Sequence, residues 1–245
     1  MVGKNIIKLI KSLQQKKFRN EHQLFVVEGF KSVDELLAST LKCYGLYVLS
    51  DYYDRYAQQN AALISTKELM QMSSLKKSPG VLGVFYQPKL PNLTYEGWSV
   101  VLDDVRDPGN LGTIIRLCDW FGIQQLVCSN QTVDCYNPKT LQATMGSISR
   151  VAVHYTELDE FLAKSTIPIY GTYMDGASIY TSSLAPEGLL LMGNEANGIG
   201  EQFQKYISKK ISIPSFGSAK TESLNVAMAT GICLSELRRN TKIKD

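Results

Sequence analysis

The strongest constraint on the fold lies in residues 187–237, where two short apolar segments each end in a loop of glycine and small polar residues. The first segment, residues 189–192, reads Leu-Leu-Leu-Met and is followed by Gly-Asn-Glu-Ala-Asn-Gly-Ile-Gly at 193–200. The second is Ile-Ser-Ile at 211–213, followed by the loop 215–220. Short apolar runs bounded by turn residues are typical of buried strands. Because open parallel α/β sheets bind ligands at loops leaving the carboxyl ends of strands, this stretch predicts a ligand site.

The first of these loops, and the helix start that follows the second, each also have a purely structural interpretation. A glycine-rich turn such as 193–200 often only connects a strand to a helix, and the Ser-Leu-Asn sequence at 223–225 often only caps a helix. The occurrence of both in one stretch favours the ligand site.

Upstream of this stretch, residues 1–86 alternate between predicted strands and predicted helices, which indicates a small α/β domain. Pro88 and Pro91 oppose the continuation of either a strand or a helix. We therefore predict two domains, 1–90 and 91–245. The predicted strands are 24–28, 46–49, 62–64 and 81–86, and the predicted helices are 6–13, 32–41, 52–59 and 66–72.

The second domain continues the alternation, so its sheet is expected to be parallel and covered on both faces. The predicted helix 223–239 is apolar around much of its girth and must be buried, within the chain or against a second subunit. The other predicted strands are 99–103, 125–128, 151–154 and 168–172, and the other helices begin near 110, 138 and 157.

Basic residues are concentrated near the N-terminus, although the formal net charge of the 245 residues is only +3. A basic face of this kind favours nucleic acid as a partner, and a solvated helix face is the alternative. The predicted RNA-binding residues are Lys4, Lys8, Lys11, Lys16, Lys17 and Arg19.

The five cysteines lie in or beside apolar segments, without a C-x-x-C pair or histidines spaced for zinc. They are expected to be free, mostly buried thiols in a reducing compartment, and no metal site is expected. The chain shows neither a signal peptide nor an apolar run long enough to cross a bilayer. The protein is therefore predicted to be cytoplasmic, without a membrane partner.

Familiar nucleotide-binding signatures are missing from the sequence. It contains no G-x-x-x-x-G-K-[ST], and no G-x-G-x-x-G follows the first strand of either domain, which disfavours an ordinary Rossmann dehydrogenase or methyltransferase. The two histidines, His22 and His154, have no neighbouring Ser or Cys arrangement that suggests a nucleophile.

Three ordered segments resemble the motifs of the SpoU (TrmH-type) RNA ribose 2′-O-methyltransferases. They are Asn-Leu-Gly-Thr-Ile-Ile-Arg at 110–116, Gly-Asn-Glu-Ala-Asn-Gly-Ile at 193–199, and Ile-Pro at 213–214 with Ser-Leu-Asn-Val-Ala at 223–227. The N-terminal segment 5–29 is similar to an L30e-like substrate-binding domain. The resemblance implies a parallel-sheet SPOUT domain with a C-terminal deep trefoil knot, bound S-adenosylmethionine as cofactor, and a homodimer.

The resemblance also assigns roles to residues. Arg116 matches the family's catalytic arginine, and polar positions around it match residues that orient the arginine or the methyl donor. Apolar and glycine positions match the walls of the donor site. The implied catalytic set is Arg116, Asn110, Glu195, Ser223 and Asn225; the implied donor-binding set is Leu191, Met192, Gly193, Asn194, Ile211, Ile213, Ser223 and Leu224.

Two roles for Arg116 remain open at this stage. One is a base that deprotonates the ribose hydroxyl, although arginine is ordinarily protonated up to a pH of about 12. The other is a guanidinium that clamps a backbone phosphate and aims the ribose. Two departures from the motif affect the donor site: Ala196 stands where glycine is usual, and the loop 215–222 is about two residues longer.

Together these features predict an S-adenosylmethionine-dependent enzyme that methylates a ribose 2′-hydroxyl of structured RNA, with ribosomal RNA favoured over transfer RNA. One alternative is a non-catalytic RNA-binding protein with the same fold. The other is a knotted enzyme that methylates an RNA base.

Overall fold

The computed structural model describes residues 2–217 and 223–239. The chain divides into two compact units, residues 1–89 with 134–149 and residues 90–133 with 150–245. The elements of the first unit, in chain order, are α1 (Lys4–Ser12), α2 (Lys16–His22), β1 (Leu24–Glu28), α3 (Phe30–Leu37), β2 (Cys43–Val48), α4 (Tyr53–Tyr56), β3 (Ala62–Leu63), α5 (Thr66–Met72), β4 (Val81–Tyr86) and α7 (Pro138–Thr144).

The first unit is built on a four-stranded sheet of order β1-β4-β2-β3. Strands β2 and β3 are parallel, and the other pairs are antiparallel. The predicted helix 6–13 corresponds to α1, whose C-cap is Leu13. A second helix that was not predicted, α2, follows it after the N-cap Gln15. The predicted helix 52–59 consists of α4 between two short 3₁₀ turns.

Residues 134–149 belong to the first unit. Their position in the sequence, within the predicted domain 91–245, had placed them on the parallel sheet. The ring of Tyr136 lies 4.6 Å from that of Phe25 in β1. Helix α7 begins after the Asn137 cap and buries Thr140 and Leu141. The aromatic contact and these buried side chains attach the segment to the first unit.

The prediction that Arg19 contacts RNA is wrong. Its side chain is only 3% exposed, and its Nη2 lies 2.5 Å from the Asp134 carboxylate. Its Nη1 donates to the carbonyls of Leu13 and Gln14, each at 2.8 Å. A guanidinium enclosed by these partners within the first unit is not available to bind RNA.

The second unit contains a six-stranded sheet in which every pair of neighbours is parallel, as predicted. Its order along the sheet is β10-β8-β9-β5-β6-β7. The elements are β5 (Trp98–Leu102), α6 (Pro108–Trp120), β6 (Gln125–Ser129), β7 (Ala152–Thr156), α8 (Leu158–Ala163), β8 (Ile169–Ser178), β9 (Gly188–Met192), β10 (Lys209–Ser212) and α9 (Val226–Arg238).

Helix α9 begins three residues later than predicted, at Val226 rather than Ser223. The side chain of Asn225 accepts from the backbone N–H groups of Ala227 and Met228. Because Asn225 is the N-cap, Ser223 lies outside the helix and does not cap it. The helix packs against α6, where Gly231 lies next to Leu117.

None of the five cysteines is part of a disulfide, and all except Cys43 are buried, as predicted. Burial raises the pKa of the Cys118 and Cys233 thiols. Within the described ranges no helix is long and apolar enough to cross a membrane. The same residues contain no cluster of three or more His, Cys, Asp or Glu side chains placed to hold a metal ion.

Candidate active site

Three segments that are far apart in the chain meet through their side chains at one site of the second unit. Asn110, in the first turn of α6, donates from Nδ2 to the carboxylate of Glu195 in the loop after β9. Asn225 donates from Nδ2 to Oδ1 of Asn110 over 2.9 Å. The Asn110 amide therefore links the segments that the sequence motifs had singled out.

Local capping places two of these side chains. Asp107 is the N-cap of α6, and its carboxylate accepts from the Asn110 backbone N–H at 2.8 Å. Pro108 at the first helical position fixes the backbone dihedral that the first turn needs. Asn225 caps α9 with its oxygen and reaches Asn110 with its nitrogen. For Asn225, capping and site formation occur together.

The loop after β9 is closed by its own backbone. Asn194 and Gly198 exchange two backbone hydrogen bonds, of 3.1 and 3.0 Å. Oδ1 of Asn194 accepts from the backbone N–H groups of Ala196 and Asn197. The positive φ of the loop falls on Gly198, at +65°, and Ala196 has no positive φ. The alanine at position 196 is therefore compatible with this loop.

Gly193 cannot be replaced by a larger residue without moving the loop. A Cβ atom at this position would lie 2.0 Å from the backbone carbon of Gly198 and 2.3 Å from the backbone nitrogen of Ile199. Backbone atoms cannot rotate away as a flexible side chain can. The close approach leaves the main chain of the loop uncovered by a side chain at this point, which suits recognition of a nucleoside by backbone groups.

Two acidic residues at the end of β5 support the same loop, and the sequence reasoning missed both. Asp103 is buried, and its Oδ2 accepts from the Gly200 N–H at 2.8 Å. Burial raises the pKa of the Asp103 carboxyl. Asp104, with φ of +56°, accepts from Nδ2 of Asn194 at 3.3 Å and pairs with Arg106. The sequence signal that could have identified them is the Asp-Asp pair directly after a buried strand.

The predicted donor-binding residues differ in burial. Leu191, Met192 and Ile211 are buried, and Ile213 is half-buried. Ser223 and Leu224 are exposed, with 49% of Leu224 accessible. The predicted extra length of the loop 215–222 falls largely on residues 218–222, which lie outside the described residues.

Arg116 lies about two turns beyond Asn110 along α6. Its side chain is exposed, and within the described ranges it has no hydrogen-bond or ion-pair partner. Glu195, one of the polar residues implied to orient Arg116 or the methyl donor, accepts from Asn110. An exposed guanidinium without a carboxylate partner is available to a phosphate, which favours the clamp over the base.

The remaining predicted RNA-binding residues are exposed on the first two helices of the first unit. Lys4, Lys8 and Lys11 belong to α1, and Lys16 and Lys17 to α2. Their exposure is compatible with binding a polyanion.

Comparison with known proteins decides the family. The SpoU rRNA Methylase family matches residues 97–235, and the MRM3-like substrate binding domain matches residues 4–83. The chain belongs to the SpoU rRNA methylase family. This SpoU protein carries the family's methylase region with the site residues inside it.

Individual relatives of this SpoU protein match over nearly its full length. It is 28% identical over 235 residues to the Bacillus subtilis 23S rRNA (guanosine(2553)-2′-O)-methyltransferase, covering 93% of this chain and 94% of that protein. A Porphyromonas gingivalis structure assigned to the TrmH family is 33% identical with a TM-score of 0.89, over 98% of this chain and 100% of that one. An AdoMet-bound rRNA methyltransferase from Sinorhizobium meliloti is 29% identical with a TM-score of 0.86, over 99% and 97%.

Proposed function

We propose that this protein transfers a methyl group from S-adenosylmethionine to a ribose 2′-hydroxyl of ribosomal RNA. The observation that carries this conclusion is the Asn225–Asn110–Glu195 chain of hydrogen bonds, which joins the three motif segments. Family membership and relatives named as 23S rRNA 2′-O-methyltransferases support the same reaction.

The residues around the loop after β9 fit the methyl donor. When bound, S-adenosylmethionine supplies a methyl group activated by a positively charged sulfur. Gly193 and its neighbours are proposed to present backbone groups to the nucleoside. Leu191 and Met192, which are buried in β9 directly before this loop, are proposed to support it from below. The bonds of Asp103 and Asp104 hold the loop in position before the donor arrives.

The work left to the protein is largely positioning, because the ribose oxygen must approach the methyl carbon in line with the departing sulfur. Arg116 is proposed to clamp an RNA phosphate with two parallel N–H donors, which fixes the orientation of the ribose. Asn110 and Asn225 hold the Glu195 loop against α6 and α9. Asn110, Glu195 and Asn225 are therefore proposed as positioning residues.

Methyl transfer to RNA tests the activity directly. Purified protein is incubated with labelled S-adenosylmethionine and unmodified ribosomal RNA, and the RNA is then hydrolysed with alkali. We expect label in alkali-resistant dinucleotides, because 2′-O-methylation removes the hydroxyl needed for cleavage of the adjacent phosphodiester. Label released as mononucleotides would indicate a base methyltransferase. Binding of RNA without any transfer would indicate a non-catalytic RNA-binding protein.

We also propose that the protein is a homodimer. Helices α6 and α9 pack on each other and expose apolar side chains, Trp120 at 82% and Met228 at 63%. Met228 lies in the first turn of α9 and Trp120 at the end of α6, so the proposed interface extends along the whole helix pair. A second copy covering this surface would lie near the exposed Leu224 and Ser223 of the donor site.

Substitution of Met228 with Glu is expected to convert the dimer to a monomer, because a carboxylate would be buried without a partner at the interface. The first turn of a helix accommodates an acid well, so the fold should persist. Sedimentation velocity measures the change. Met174→Glu is the matched control, since Met174 is 69% exposed on β8, and it should remain dimeric. A dimeric Met228→Glu protein would place the interface elsewhere.

The trefoil knot is a further part of the proposal. Strand β9 is inserted between β5 and β8, although it follows β8 in the chain. After the edge strand β10 the chain returns to pack α9 on α6. This return path supports a threaded C-terminal segment, which an experimental backbone trace over residues 188–238 would test. An unthreaded trace would remove the knot and leave the sheet order unchanged.

A further inference from the structure

Two tyrosines lie side by side at one end of the sheet in the first unit. Tyr44 is 38% exposed and Tyr86 is 43% exposed. Their ring centroids are 5.7 Å apart, and the ring planes meet at 74°. In this edge-to-face arrangement the two rings shield each other only in part. Paired rings that remain this accessible offer apolar surface to a flat ligand.

A β-bulge places Tyr44 in this pair. Cys43 lies opposite Phe85 and Gly45 lies opposite Val84, so Tyr44 is the extra residue in β2. A bulge redirects a side chain away from the regular alternation of the strand, and such bulges are over-represented near functional sites. The direction in which Tyr44 leaves the strand is therefore set by the bulge.

One exposed lysine is joined to the tyrosine pair through its backbone. The carbonyl of Lys42 accepts from the Tyr86 N–H at 3.0 Å, which places the backbone of this exposed lysine next to that of Tyr86. Helix α2 leads into β1, whose first residue, Leu24, is paired with Tyr86. This end of the sheet thus suits an anionic partner with flat rings. The exposed Lys and Glu side chains of α2 and of residues 87–89 are Lys16, Lys17, Glu21 and Lys89.

We propose that Tyr44 and Tyr86 form a stacking site for an unpaired nucleobase of the substrate RNA, with Lys42 beside it contacting the backbone phosphate. Aromatic side chains stack on any base, and a base within a duplex is already stacked on its neighbours. The proposed ligand is therefore a single-stranded loop or bulge. This inference rests on the proposed function for the identity of the substrate and extends it to the first unit.

Substitution of either tyrosine tests the site. Tyr44→Leu and Tyr86→Leu are expected to weaken binding of a single-stranded oligonucleotide of about 12 nucleotides by roughly tenfold each. Binding of a duplex of the same length should be unchanged. Tyr86→Phe should bind normally, because the ring is retained. Fluorescence anisotropy with labelled oligonucleotides measures all of these affinities.

The salt dependence separates stacking from charge. In the tyrosine variants, the slope of log affinity against log salt should equal that of the wild type, because no phosphate contact is lost. Lys42→Ala should instead make this slope shallower by about the amount that one phosphate contact contributes. Tyr52→Leu is the matched control, since Tyr52 is 41% exposed in the same unit and lies outside the pair. It should bind as the wild type does.

Kinetics on ribosomal RNA distinguish this site from the activity itself. The tyrosine variants should raise KM for RNA about tenfold and leave kcat and the affinity for S-adenosylmethionine unchanged. A wild type that transfers methyl groups, with normal KM in both Leu variants, would overturn the stacking site alone. Tyrosine-dependent oligonucleotide binding without any transfer would overturn the proposed function and leave the stacking site standing.

Cross-linking of the wild-type protein tests the site without depending on whether the variants fold. Ultraviolet cross-linking of the wild type to an oligonucleotide containing 4-thiouridine should label the peptide that carries Tyr44 or Tyr86. Cross-links confined to other peptides would overturn the proposal, as would equal loss of binding in Tyr52→Leu.

Discussion

Replacing Arg116 with Ala should lower kcat by roughly 10²- to 10³-fold, the range found when one preorganised charged or polar donor is removed from an active site. The side chain is exposed and has no partner within the described residues, so its removal leaves no buried charge behind. The fold and the affinity for S-adenosylmethionine should be unchanged. Single-turnover methyl transfer and calorimetric titration of the donor measure the two effects separately.

The Lys variant of Arg116 separates the two roles left open by the sequence. A phosphate clamp needs the planar fork, so Arg116→Lys should lose much of the turnover and keep the pH profile of the wild type. A base would instead show a displaced pH profile. Arg150→Ala is the control, because Arg150 is a half-exposed arginine already paired with Asp119. Nearly full turnover in Arg116→Lys, with an unchanged profile, would contradict both roles.

The site was predictable to the extent that its residues lie at sequence-local signals. Asn110 follows a Pro-Gly turn, Glu195 lies in a glycine-rich loop after an apolar run, and Asn225 begins a helix. Each signal marks a strand end or a helix start, and the parallel sheet of the second unit brings such points together. The apolar runs therefore located the strands and predicted a ligand site in residues 187–237, whereas the individual site residues were assigned by the resemblance to the SpoU motifs.

The hydrogen bonds within the site could not be derived in the same way. Glu195 accepts from Asn110 and not from Arg116, and the choice depends on side-chain distances that no spacing encodes. The predicted helix start, Ser223, differs from the observed one, Val226, because Ser223 and Asn225 are both suitable caps. Serine and asparagine are nearly equal in their preference for the N-cap position, so the sequence does not decide between them. Asp103 escaped notice because a strand-end carboxylate is usually solvated.

The assignment of Arg19 was wrong for a related reason. Its neighbours in sequence are lysines on a wet helix face, but its partner Asp134 lies more than a hundred residues away. Residues 134–149 follow a strand of the second unit, so nothing local indicates that they pack within the first. Which residues form a long-range ion pair depends on the topology of the chain. The pattern of apolar residues in 134–149 does not indicate which of the two units the segment belongs to.

Substitution of Arg19 with Met is expected to destabilise the first unit by about 3 kcal/mol, near the lower end of the cost of removing one partner from a buried ion pair. The Asp134 carboxylate, 14% exposed, would lose its partner, and the carbonyls of Leu13 and Gln14 would lose a donor. Hydrogen exchange at β1 and α7 should accelerate. Tryptophan fluorescence should change little, since Trp98 and Trp120 both lie in the second unit.

The double variant decides whether the cost comes from an uncompensated charge. In the wild type the Tyr136 N–H donates to Oδ1 of Asp134 over 3.1 Å. Asp134→Asn keeps an oxygen that can accept this hydrogen bond and removes the charge. Combined with Arg19→Met it should recover at least 1 kcal/mol relative to the sum of the single variants. Arg55→Met, which breaks the exposed pair with Asp34, should have a much smaller effect. Additive single variants would mean that packing, and not charge pairing, holds residues 134–149 in the first unit.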